Sequence, residues 1–103
     1  MWNPPTKKQL ALIPKLYSTE KVKLADKKIY MKFFLGGWTW LAAEFDGKDQ
    51  FFGLVISPME PSGEWGYFSL SELKTIKAGP GIEVDRDVYG VTPYKPKKVS
   101  EIR

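Results

Sequence analysis

Two residue spacings in this 103-residue chain match arrangements that carry covalent or hydride chemistry elsewhere, and both lack their context. Ser71 and Lys74 have the serine–lysine separation of penicillin-recognising enzymes, but the companion motifs are missing and the chain is far too short for that fold. Tyr17 and Lys21 have the tyrosine–lysine separation of short-chain dehydrogenases, without a glycine fingerprint after a strand or room for a doubly wound sheet. Gly79, Pro80 and Gly81 lack the lysine and the following helix that a phosphate cradle needs, and read as a helix stop. Cysteine and histidine are both absent, which removes thiolate metal sites, disulfides, the cysteine nucleophile and the commonest general base together. An enzyme built here would have to use carboxylates and lysine alone. Asp85 and Asp87 share one strand face and would hold a hard cation if Glu44 approached them, whereas the competing reading of Asp-Arg-Asp on a strand is a cross-strand ion-pair ladder. The expectation is therefore a chain with no catalytic residues, no cofactor and no metal.

Binding chemistry is better represented. Eleven of the fifteen aromatic residues fall between Lys28 and Phe68. Trp38 and Trp40 project from the same face of a strand, about 7 Å apart. Such a face, beside Lys32, would stack bases or anchor a protein if exposed, and would supply core if covered. With Tyr67, Arg86 and Asp87 these residues make the candidate protein-binding site. The competing nucleic-acid surface uses Lys7, Lys8, Lys15, Lys21 and Lys23. Residues 1–35 hold eight lysines against Glu20 and Asp26, while the net charge is +4. A solvated lysine-rich helix and loop is the preferred reading of that basic run, since no arginine lies among the eight cations.

Elements must carry these groups. Ile29, Met31, Phe33 and Leu35 alternate with Tyr30, Lys32 and Phe34, the period of a half-buried strand. Gly36 and Gly37 then predict a tight hairpin into a second strand, Trp38 to Phe45, with Trp38, Trp40, Ala42 and Glu44 on one face. Asp46 and Gly47 end it, and a third strand, Phe51 to Ser57, is apolar on both faces and reads as central. A loop with Pro58, Pro61, Ser62 and Gly63 leads to a fourth strand at Trp65 to Phe68. Thr6 and Gln9 form a capping-box pattern opening a helix from Lys7 to about Tyr17, with a kink or restart at Pro14. Ser69 and Glu72 open a short helix through Ile76, and Ile82 to Val88 alternate as a fifth strand. Arg86 falls in phase with Ile82, Val84 and Val88, so it points toward the apolar face and needs a carboxylate such as Glu44 or Glu72, or an exit beside Tyr67 or Trp40.

The fold class expected is α+β, an antiparallel meander of four to five strands in chain order, with the N-terminal helix on one face and a short helix after the fourth strand. Residues 1–103 read as one domain, with residues 1–5 an extended lead and residues 91–103 a surface tail. Buried Phe33 and Leu54 are expected at its centre. No signal-peptide pattern or membrane-length apolar run is present, which predicts a cytoplasmic protein.

Leu16-Tyr17-Ser18, Lys32-Phe33-Phe34, Trp38-Thr39-Trp40, Phe51 to Val55, Gly66 to Leu73 and Glu83 to Tyr89 resemble, in collinear order, a family of short proteins carried by plasmids, phages and integrative elements and catalogued as a domain of unknown function. The resemblance implies a mobile-element setting and attaches no reaction. The function expected is a non-enzymatic binding module contacting a host or element-encoded protein. Nucleic-acid binding is the alternative and a small carboxylate-dependent enzyme the second one. No membrane contact is expected, and the state is monomer or homodimer.

Overall fold

A computed structural model describes residues 2–102. Met1 of the expected lead and Arg103 of the expected tail lie outside these residues. The helices are α1 (Lys7–Leu10), α2 (Leu70–Thr75) and α3 (Val99–Ile102), with a 3-10 turn at Leu24–Asp26. The strands are β1 (Lys28–Ile29), β2 (Met31–Leu35), β3 (Trp38–Phe45), β4 (Gln50–Ser57), β5 (Glu60–Ser69), β6 (Lys77–Gly79), β7 (Ile82–Glu83), β8 (Asp85–Arg86) and β9 (Lys97–Lys98).

Five strands form one antiparallel sheet in the order β5-β4-β3-β2-β8. The first four run in chain order, as the alternation predicts, because short turns close each hairpin. Gly36 takes φ 57 between the partners Leu35 and Trp38. The Asp46 carboxylate accepts the N–H groups of Lys48, Asp49 and Gln50 at 2.7–3.0 Å, an arrangement that holds its pKa below the ordinary carboxylate value. The fifth strand departs from expectation. Its first residues pair as β7 with β6, whereas Asp85 and Arg86 cross to the far edge and pair with Phe34 and Phe33. The fourth strand also begins earlier than expected, because Ser57 pairs with Glu60 across a two-residue turn and Pro61 lies within β5. Proline is tolerated there because β5 is an edge strand and needs no inner-ladder N–H at that point.

The N-terminal helix is a single turn. Its capping box forms as predicted, with Gln9 N–H on Thr6 Oγ1 at 3.1 Å and Thr6 N–H on Gln9 Oε1 at 2.8 Å. It does not reach Tyr17. Pro14 has no N–H for the Leu10 carbonyl and drives Ile13 out of helical geometry. The chain instead extends beside the end of β3, where Phe45 N–H donates to the Pro14 carbonyl at 2.8 Å. α1 buries no residue fully: its Leu10 packs partly buried against the first core, and the buried cover is Ile13 beyond its end.

The sheet is packed on both faces. Met31, Phe33, Trp40, Ala42, Phe45, Phe51 and Phe68 face one core, closed by Ile13, Leu73 and Val84. Ile29, Leu41, Ala43 and Leu54 face a second, closed by Val91 and Val99. Phe33 and Leu54 are 0% and 2% exposed, as expected of core residues. The tail expected on the surface is part of this second core. Pairing of β9 with β1, together with Val99 N–H on the Lys27 carbonyl at 3.1 Å, brings Val99 onto the sheet.

A register shift between Ala42 and Glu44 reverses the end of β3: Ala42 opposes Gly53, and Glu44 opposes Phe52. Ala43 is the extra residue. Consequently Phe45 turns to the first core with Ala42, and Glu44 moves to the face opposite the tryptophans. Gly53 makes this possible, since a Cβ there would lie 1.8 Å from the Leu41 carbonyl oxygen.

Candidate functional site

The structure separates the residues that the sequence grouped. Trp38 and Trp40 do share a face, and their rings stack at 5.8 Å, but Trp40 is 6% exposed and belongs to the first core, leaving only Trp38 partly open. Lys32 pairs with Leu41 and projects from the opposite face. Tyr67 lies on β5 at one edge and Arg86 on β8 at the other, four strand spacings or roughly 19 Å apart. Arg86 turns inward as predicted, yet its partner is neither Glu44 nor Glu72: Nε donates to the Asn3 carbonyl at 3.0 Å. Burial lowers its pKa, opposed by the charge of Asp85. Asp87 closes its own loop, accepting N–H groups from Tyr89, Gly90 and Val91 at 2.9 Å. Burial would raise its carboxyl, but those three donors and nearby Lys32 outweigh it and hold the pKa low. Glu44 faces a different loop, so it does not approach Asp85 and Asp87, and no three carboxylates among the described residues converge on a metal position. Lys7, Lys8, Lys15, Lys21 and Lys23 are exposed, but the early end of α1 strings them along an irregular segment instead of one helix face.

A different constellation forms around Glu44, which the sequence placed with the tryptophans. It is 3% exposed, and Lys27 is 4% exposed, at 3.8 Å between Lys27 Nζ and Glu44 Oε2. Glu44 Oε1 accepts the Tyr17 N–H at 2.8 Å, and Oε2 accepts the Thr19 N–H at 3.1 Å and also the Thr19 hydroxyl. Lys27 Nζ donates to that hydroxyl oxygen at 2.8 Å and to the Thr19 carbonyl. A buried pair is tolerable only when its remaining donors and acceptors are met, and here the loop backbone meets them.

This network fixes Tyr17 at φ 69, the only non-glycine residue among those described with positive φ. A side chain in that region costs on the order of 1–3 kcal/mol unless its surroundings enforce it. Glu44 supplies the enforcement through the Tyr17 N–H. The ring is thereby set beside Tyr67, whose hydroxyl donates to the Tyr17 hydroxyl oxygen at 3.5 Å. That engaged proton, with some desolvation and the negative charges of Tyr17 and Glu44, pushes the Tyr67 phenol above its ordinary value. Phe52 stands behind Tyr67 at 5.3 Å between ring centroids and stacks on Trp65 at 5.6 Å. Tyr17, Phe52 and Tyr67, together with Glu20, Val22, Lys23 and Leu24 and above the Lys27–Glu44 pair, line a pocket of about 400 Å³. Its floor is aromatic and apolar. Its rim carries one acid and one base, and the charged pair beneath is internally neutralised. Such a surface offers shape, aromatic faces and hydroxyls.

Among these residues the sequence singles out Tyr67 for the protein-binding site and Lys23 for the alternative nucleic-acid surface. A glutamate inside the apolar run Leu41 to Phe45 was the available signal, since a buried carboxylate demands partners. No helix among the described residues is long and apolar enough to cross a membrane. The chain matches no curated protein and no solved structure. A family model described as a protein of unknown function, DUF2958, matches residues 5–96, which include every residue lining the pocket, and the chain belongs to that family.

Proposed function

We propose that the protein is a non-catalytic binding module, and that the pocket of Tyr17, Phe52 and Tyr67 receives an apolar side chain of a partner protein, encoded by the host or by a mobile element as the resemblance implies. The observation that carries this reading is the buried Glu44 carboxylate holding Tyr17 in left-handed geometry beside Tyr67. A fold that spends a buried ion pair to hold one exposed aromatic ring has pre-organised it, and pre-organised tyrosines with an apolar body and a polar tip make good interface anchors. The near-neutral rim favours an apolar partner group over a charged one.

The test uses the full chain as bait with Tyr67→Ala and Lys8→Ala variants. Tyr67 is half exposed, so its truncation should leave stability within about 0.5 kcal/mol of the parent. The reading expects a specific partner captured by the parent and by Lys8→Ala, lost with Tyr67→Ala, and retained at roughly 0.5 M salt, where exposed charges are screened. Capture indifferent to Tyr67→Ala would reject the pocket as the contact.

A further inference from the structure

The two-stranded ladder of β1 and β9 sets Lys28 directly opposite Lys98. Opposed residues share a face. On the inner face Ile29 is buried, so Lys28 and Lys98 project together to solvent, and both are exposed. Their Cβ atoms are about 5 Å apart at such a pair, and like charges so placed weaken the ladder. The surroundings relieve this only in part. Lys95 lies on the same segment, Lys97 pairs with Ile29 and falls on the other face of the ladder, and Lys23 precedes the 3-10 turn that packs against α3. Two acids are carried by these elements, Asp26 and Glu101, and the Glu101 carboxylate, which accepts the Lys98 backbone N–H at 2.8 Å, offsets part of the positive charge, leaving the cations in excess.

We propose that Lys28 and Lys98, with Lys95 and Lys23 nearby, form a binding surface for the phosphate backbone of duplex nucleic acid, separate from the tyrosine pocket. An anion seated between two opposed ammonium groups turns their repulsion into attraction, which gives the unfavourable pairing a purpose. Lysines act as point charges without the planar fork that reads base edges, so the surface contacts backbone and is indifferent to sequence. An anionic membrane fits less well. α3 buries Val99, and half-buried Ile102 packs toward the second core, so the helix beside the lysines offers no apolar face to insert among lipids. These lysines differ from the N-terminal set expected from sequence, apart from Lys23, because β9 brings the chain's last segment back beside β1.

The decisive experiment measures binding of a fluorescent mixed-sequence DNA duplex to the full chain across a salt series, with Lys28→Gln, Lys98→Gln, their double variant, and Lys98→Glu. Affinity should fall steeply with salt, and the double variant should reduce the log–log slope by about 2. Lys98→Glu should abolish binding while raising the melting temperature, since it replaces a repulsive cross-strand pair with an attractive one. Should that variant fail to fold, Lys98→Gln carries the same comparison, with weaker binding and an unchanged or higher melting temperature. The proposal is overturned by absence of binding at low salt, or by binding that survives the double variant but is lost in Lys7→Gln/Lys8→Gln. Phosphatidylserine vesicles binding with the same lysine dependence while the duplex does not would also overturn it, in favour of a membrane.

Discussion

At the scale of single residues, Glu44 does most to join fold and site. It is buried with Lys27, and its oxygens gather the loop that carries Tyr17 and Thr19. Removing one partner leaves an uncompensated buried charge, whereas removing both leaves an apolar space. Glu44→Leu alone should therefore destabilise by about 3–5 kcal/mol, and adding Lys27→Met should recover most of that loss. Denaturant unfolding of the two variants measures this directly; equal midpoints would show that the pair is not coupled. Both variants should also weaken partner capture, because Tyr17 loses the acceptor that enforces its backbone. Arg86 shows a different solution to the same problem. Its guanidinium Nε donates to a main-chain carbonyl from the N-terminal lead.

At the scale of elements, the bulge in β3 decides which face each functional side chain occupies. Without Ala43 as the extra residue, Glu44 would point toward the first core and Phe45 toward the loop. Gly53 is the condition for that bulge, because the Leu41 carbonyl occupies the space of its missing Cβ. Gly53→Ala should destabilise by about 3 kcal/mol or more, since backbone and not a flexible side chain must move. Thermal melting checks the magnitude, and the Tyr17 and Tyr67 ring resonances should shift with it as Glu44 is displaced. A melting temperature matching the parent would mean the bulge does not depend on glycine. The single-turn α1 makes a related point: a good N-cap starts a helix, and one proline beyond it decides how far the helix goes.

At the scale of the whole molecule, the sheet has two cores and residues 91–102 close one of them. Val91 and Val99 are buried against Ile29, Leu41 and Leu54. Burying each valine contributes about 1.5–3 kcal/mol, a large share of the roughly 5–15 kcal/mol by which domains are stable. Truncation after Gly90 should therefore abolish cooperative melting and expose apolar surface to a hydrophobic dye. A truncated chain that melts cooperatively near the parent's temperature would show that the tail is dispensable. The same closure brings Lys98 beside Lys28, so the truncation should also remove the basic surface.

The sequence alone determined what depends on near neighbours along the chain. Alternation and short apolar runs marked the strands from Met31 to Phe68, Gly36-Gly37 and Asp46-Gly47 marked their turns, and Ser69 marked the start of α2, because each is settled by steric or hydrogen-bond chemistry within a few residues. Family membership was legible for the same reason, in short collinear motifs. Tertiary structure decided the rest. Phase along β3 could not foretell the bulge, since the extra residue is imposed by the close approach of Leu41 to Gly53 from another strand. Local pattern could not distinguish a basic, proline-bearing surface tail from a segment that pairs with β1 and buries Val99, because that choice rests on contacts with residues some seventy positions away. The pocket followed from both: Tyr17, Glu44 and Tyr67 meet only once the bulge turns Glu44 outward and Pro14 stops the helix, and no spacing within the chain encodes that meeting.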